Sequence, residues 1–159
     1  MSDTRLRISD VPWNVRRSLK RAVRKGARRL DHRRPRWFLT IDTKLLKLSS
    51  GCNCVIGQLY GSWDHRFIRR VLNNLRITDE WGYYNAAERY GFSTTSVADE
   101  WLAEALPDDQ YDPATVDQLE ERERRSALVW HALDTYWKQE IRARRGMDAT
   151  TKAARAVAA

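Results

Sequence analysis

The sequence predicts an all-α fold: a single-domain irregular helical bundle of about five to six helices, closed by a long C-terminal helix. Three observations carry this. Apolar residues recur at three- and four-residue spacing along several stretches. Pro and Gly punctuate those stretches where helices begin or end. The one short alternating stretch has no partner strand. At 159 residues the chain has the length of one domain with a sizeable core. That domain is assigned to residues 1–146, followed by an Ala-rich, flexible tail at 147–159.

The first helix is expected to start after Asp10, acting as cap, with Pro12 in its first turn. Val15, Leu19, Ala22, Val23, Ala27 and Leu30 form its apolar stripe, Lys and Arg occupy most of the remaining circumference, and Pro35 blocks continuation past Arg34. Trp37 to Leu48 mixes strand-like alternation with a helical turn, and is assigned as a connector packed on the core. Ser49 or Ser50 is placed as the cap of a helix over Cys52–Tyr60, ended by Gly61. Asp64 opens the next, through about Arg76, which buries Phe67, Ile68, Val71, Leu72 and Leu75. A weaker helix is placed at Asp79–Tyr90, with Gly91 at its exit. Ser96 and Asp99 have capping-box spacing ahead of Val97, Trp101, Leu102 and Ala105. After a polar loop from Asp108, Asp112 is expected to cap the long helix, with Pro113 at its first position. Val116, Leu119, Ala127, Trp130, Leu133, Trp137 and Ile141 are its expected buried stripe. Its acidic start and its basic end at Arg142, Arg144 and Arg145 suit the helix dipole, and Gly146 is the expected stop.

Charge is unevenly distributed. The total is 29 Lys/Arg against 21 Asp/Glu, a net +8. Residues 1–36 hold a balance of +10, residues 37–78 of +4, residues 79–123 of −11 and residues 124–159 of +5. Either the basic and acidic segments face each other, within the fold or across a homodimer, or the basic side is open to phosphates or to an acidic protein.

Several function classes are excluded or demoted. Two cysteines do not make a disulfide scaffold. No apolar run reaches membrane-span length and no signal-peptide stretch is present, so a cytoplasmic protein without membrane attachment is expected. No phosphate-loop, dinucleotide or metalloprotease motif occurs, so no cofactor, metal or catalytic residue is assigned. His131, beside Trp130 near the expected inward stripe, has no motif-linked nucleophile or carboxylate.

The order Lys25-Gly26-Ala27-Arg28-Arg29-Leu30-Asp31, Pro35-Arg36-Trp37, Ile41-Asp42, Leu48-Ser49-Ser50 leads into Cys52-Asn53-Cys54-Val55-Ile56-Gly57-Gln58-Leu59-Tyr60-Gly61. Tyr90-Gly91-Phe92 and Trp137 with Glu140-Ile141 follow. This order resembles a group of small uncharacterised proteins encoded by actinobacteria and, often, by their phages. The specific part is the C-x-C-V-[IL]-G-Q-L-Y-G segment, and the likeness runs from about Ala22 to Arg145. The resemblance implies a phage or mobile-element setting and a helical domain, and brings no reaction, ligand or catalytic residue. Lys44, Lys47 and the Arg-rich first helix depart from its pattern, so a basic-surface function would belong to this member.

Four candidate sites follow. Arg16, Lys20, Arg24, Arg28 and Arg29 of the first helix are candidate phosphate contacts. The stretch from Cys52 across Gly61 to Arg76 has helix-turn-helix proportions, with Arg66, Arg69, Arg70, Asn73 and Asn74 as the candidate readout set, against the plainer alternative of two packed helices. Of the seven Trp, Trp37, Trp101, Trp130 and Trp137 fall on expected core stripes, while Trp13, Trp63 and Trp81 lie at element ends as candidate partner anchors. Cys52 and Cys54 sit at an expected helix start, where a dipole lowers a thiol pKa, against the alternative of small packed side chains. The favoured function is a non-enzymatic, phage-type accessory protein binding nucleic acid or a nucleic-acid-processing protein. The alternatives are a module that captures a host factor through exposed Trp and acidic surface, and a thiol- or metal-dependent activity at Cys52/Cys54.

Overall fold

A computed structural model describes residues 6–61, 65–77, 87–106 and 114–157, without the side chains of residues 65–69. Its architecture is all-α, with no strand among the described residues. After a 3-10 turn at Ile8–Asp10, the helices are α1 (Trp13–Arg33), α2 (Val55–Tyr60), α3 (His65–Asn74), α4 (Ser96–Ala103) and α5 (Val116–Val157). A second 3-10 turn, Trp37–Leu39, and a helical turn at 87–89 lie between them.

The spine is α1 packed on α5, with α4 against both. All six apolar positions expected on α1 are buried, joined by Gly26. A Cβ at Gly26 would stand 2.0 Å from the Tyr90 carbonyl oxygen and 3.2 Å from the Trp137 ring, so only glycine lets the chain at Tyr90 cross α1 so closely. Trp137 centres the core. It stacks on Phe92 at 5.4 Å, meets Trp37 edge-on at 5.8 Å, and donates its indole N–H to the Gly91 carbonyl at 2.6 Å. Its polar atom is therefore satisfied inside an apolar environment.

Helix ends differ from the sequence expectation in instructive ways. Asp10 belongs to the 3-10 turn, and Pro12 holds the N-cap of α1 without a side-chain cap. The α2 cap is neither Ser49 nor Ser50 but Cys54, whose Sγ accepts from the Gly57 N–H at 3.2 Å. Thr95, one residue before Ser96, caps α4. α3 stops at Asn74, with Arg76 at φ +48° and the Ile77 N–H reaching back to the Leu72 carbonyl, a left-handed helix exit. Asp64, Asp79, Pro107, Asp108, Asp112 and Pro113 lie outside the described residues. At the start of α5, Thr115 and Gln118 form a reciprocal capping box: each backbone N–H donates to the other's side chain, at 3.2 and 2.8 Å.

The α5 stripe also needs correction. Leu128, Val129, Ala132, Leu133, Tyr136, Trp137, Ile141 and Arg144 are buried, whereas Val116 is 70% exposed and Leu119 and Ala127 are also exposed. Trp130 and Trp101 are half-buried, and His131 faces outward. Among the described residues, the first turns of this 42-residue helix run past the core, so their apolar residues stay exposed. Gly146 does not stop the helix. Residues 147–157 continue it, their side chains exposed except the half-buried Asp148. Arg142, Arg144 and Arg145 are thus about three turns short of the C-terminus, and two of them have tertiary partners. Arg144 pairs with Asp31 at 2.8 Å and Glu140 at 2.6 Å, and Arg145 donates to the carbonyls of Phe38 and Ile41.

Candidate nucleic-acid interface

An α-helix turns 100° per residue, so positions 17, 20, 21, 24, 25 and 28 fall on one face, opposite the stripe that α1 buries. All six are Arg or Lys, and all six are exposed. They line one shallow depression of about 520 Å³. The row spans about 17 Å of helix axis.

Its charge is largely uncompensated among the described residues. Among the described residues, the one ion pair on the row is Arg24 Nε with Glu140 Oε1, a loose 3.5 Å contact with Arg24 more than half exposed. None of the six pairs with a described acid of the 79–123 segment, whose Glu104 and Glu121 are instead engaged by Arg125, and Glu121 also by Arg124. Three guanidinium hydrogen bonds, two from Arg124 and one from Arg125, hold the Glu121 carboxyl down at about 2. The two charged segments therefore do not neutralise each other within the described part of the molecule.

That layout works against the helix. Like charges three or four residues apart repel by about 0.2–0.5 kcal/mol per pair, and the row contains several such pairs. Raising NaCl from about 0.05 to 0.5 M should screen them and increase stability by about 1 kcal/mol, measured by urea unfolding. A fall in stability over that range would mean that attractive pairs dominate instead.

The remaining candidates divide. Arg16 is half-buried, with Nε enclosed and without a hydrogen-bond partner. Arg29 leaves the row, and its Nη2 donates to the Arg76 carbonyl at 2.6 Å, tying α1 to the end of α3. Arg17, Arg21 and Lys25, absent from the sequence-derived phosphate set, belong to the row. A strict reading of the 3.6-residue period identifies them. On α3, Arg70, Asn73 and Asn74 are exposed, and the side chains of Arg66 and Arg69 lie outside the described residues. Trp13 is 64% exposed, with the Arg17 guanidinium 5.1 Å from its ring centre. Trp63 and Trp81 also lie outside the described residues.

The most specific stretch of the sequence resemblance has an architectural explanation. Cys54 caps α2, and a Cβ on Gly57 would lie 2.2 Å from the Gly51 carbonyl oxygen. The Gln58 amide clasps the connector: its Oε1 accepts from the Asp42 N–H at 2.6 Å, and its Nε2 donates to the Asp42 carbonyl at 3.1 Å and the Asn53 carbonyl at 3.0 Å. Cys, Gly and Gln are each used to hold a loop against a helix start.

Burial pushes the Cys54 thiol up, only partly offset by the Gly57 N–H, while Cys52 is exposed. A thiol reagent should therefore modify Cys52 in the native protein and reach Cys54 only on unfolding. Cys54→Ala should cost about 1 kcal/mol through the lost cap. Rapid native labelling of Cys54 would contradict this assignment. No group of three metal-ligating side chains exists among the described residues, and none of their helices is long and apolar enough to cross a membrane. No family model, curated protein or solved structure matches the chain.

Proposed function

We propose that this chain is a non-enzymatic, phage-type accessory protein that binds nucleic acid by laying the cationic face of α1 along a phosphate backbone. One observation carries the reading: six exposed cations share one face of a helix whose opposite face is committed to the core, with a single loose carboxylate contact between them. Arg17, Lys20, Arg21, Arg24, Lys25 and Arg28 supply non-specific contacts to phosphate oxygens. Arg70, Asn73 and Asn74 on α3 are a secondary set, linked to α1 through Arg29.

Salt dependence tests the proposal. Six phosphate contacts correspond to a slope of log Kobs against log[salt] of about −5 on duplex DNA. No detectable binding of duplex or single strand at low salt would sink the reading.

A second reading, capture of a protein partner, is favoured by the first turns of α5. There the exposed Leu6 lines a depression with Asp117, Glu120, Glu121 and Arg124, next to the exposed Val116 and Leu119. Pull-down from host lysate with and without nuclease separates the two. Nuclease-sensitive recovery supports nucleic acid, and nuclease-resistant recovery at high salt supports a direct protein contact.

A further inference from the structure

We propose that the groove between α1 and the start of α4 seats one nucleotide of a single-stranded nucleic acid, with the neighbouring phosphates on the α1 row. This deepens the reading above and rests on it.

The groove holds about 570 Å³, within the range of small-ligand sites. It adjoins the row directly, because Arg21 and Lys25 line both. A strand tracked by the row therefore passes the mouth of the groove. Ser18 and Thr95 form its inner brace, the Ser18 hydroxyl donating to Thr95 Oγ1 at 3.1 Å. That bond ties α1 to the α4 cap, so the spacing of the two walls is fixed before any ligand arrives. The Lys25 ammonium lies 4.4 Å from the centre of the Tyr90 ring. A cation poised over an aromatic face can turn to a phosphate and uncover a stacking surface, the combination that single-strand binders use.

Glu88 and Arg89 line the groove across from α1. The Glu88 carboxylate repels phosphate and accepts from N–H and O–H groups, so that position suits the base or sugar of a nucleotide rather than its charge. Burial and the nearby Asp99 push its pKa up, which fits a carboxyl in need of donors. A stacked duplex keeps its bases inside and offers the groove only backbone. It can lie along the row but cannot place a nucleotide in the groove, whereas a single strand can do both.

The test measures fluorescence anisotropy with a single-stranded oligonucleotide of about 15 residues and with the duplex of the same sequence, at one salt concentration. Ser96→Phe fills the groove from an exposed position whose side chain makes no hydrogen bond. It should weaken single-strand binding about tenfold, the scale of one lost base stack, and leave duplex binding unchanged. Lys20→Gln with Arg28→Gln, on the row but outside the groove, should weaken both ligands alike. The groove is overturned if Ser96→Phe binds single strands like the wild type, or if it loses both ligands equally. Failure of the wild type to bind either ligand at low salt instead overturns the underlying proposal.

Discussion

Replacing Lys20, Arg21, Lys25 and Arg28 together with glutamine is expected to weaken nucleic-acid binding about 100- to 1,000-fold at 0.1 M salt. Each phosphate contact releases about 0.9 of a counterion, so four lost contacts also flatten the salt slope by about 3 to 4. Glutamine has good helix propensity, and all four side chains point to solvent, so α1 should persist. Removing repulsion from the row should also raise stability slightly. A variant that is more stable and yet binds far more weakly is the pattern of a surface kept for binding at some cost to folding. Unchanged affinity, or lost affinity together with lost helicity measured by circular dichroism, would remove the case for the row.

The second large effect lies one turn past the row, near the C-terminus of α1. Asp31→Ala is expected to cost about 2–3 kcal/mol in urea unfolding. The Arg144 side chain is only 10% exposed and depends on Asp31 for contacts through Nε and Nη2, and Asp31 also accepts the Trp37 indole N–H at 2.8 Å. Deleting the carboxylate strands both donors, leaving the guanidinium with Glu140 alone. Removing one partner of an enclosed ion pair is costly for that reason. Arg144→Met should cost less, because Asp31 is 38% exposed and its carboxylate can turn to water.

The same site sets a pH dependence. Burial raises the Asp31 pKa, but hydrogen bonds from Arg144 and Trp37 and the Arg144 charge outweigh it and leave it below the ordinary carboxylate value. A carboxyl depressed in the folded state contributes stability that is fully present above its unfolded pKa, near 3.9, and is lost as pH falls through the folded value. Wild type should therefore lose stability below about pH 4 more steeply than Asp31→Ala. Parallel acid profiles would mean that this ion pair is not formed in solution.

Much of the fold was legible because helical periodicity is a local property. Every apolar position assigned to α1 is buried, as are Val55, Ile56 and Leu59 on α2 and Val71, Leu72 and Leu75 on α3. Helix termini were less legible. Asp10, Ser49, Ser50 and Ser96 are chemically suitable caps, yet among the described residues Cys54, Thr95 and Thr115 supply the side-chain caps. Which polar group reaches an orphan N–H depends on where the incoming loop approaches, and composition does not encode that. The long helix was misjudged for a related reason. Val116 and Leu119 have the right spacing, but the described residues leave both exposed, while Arg144 is enclosed because Asp31 lies opposite it.

The candidate site divides in the same way. That α1 carries a cationic face was determined by the sequence alone, since a core stripe on one side of a helix leaves Arg and Lys only the other. Three matters required the tertiary structure. Arg29 is diverted to a backbone carbonyl, the row is left unpaired by the described acids of the 79–123 segment, and Arg21 and Lys25 come to border a groove with Ser18, Glu88, Thr95 and Ser96. Periodicity orders neighbours within one helix. Only packing determines which distant residues share a surface, because that depends on how α1, α4 and α5 bury their apolar faces against one another.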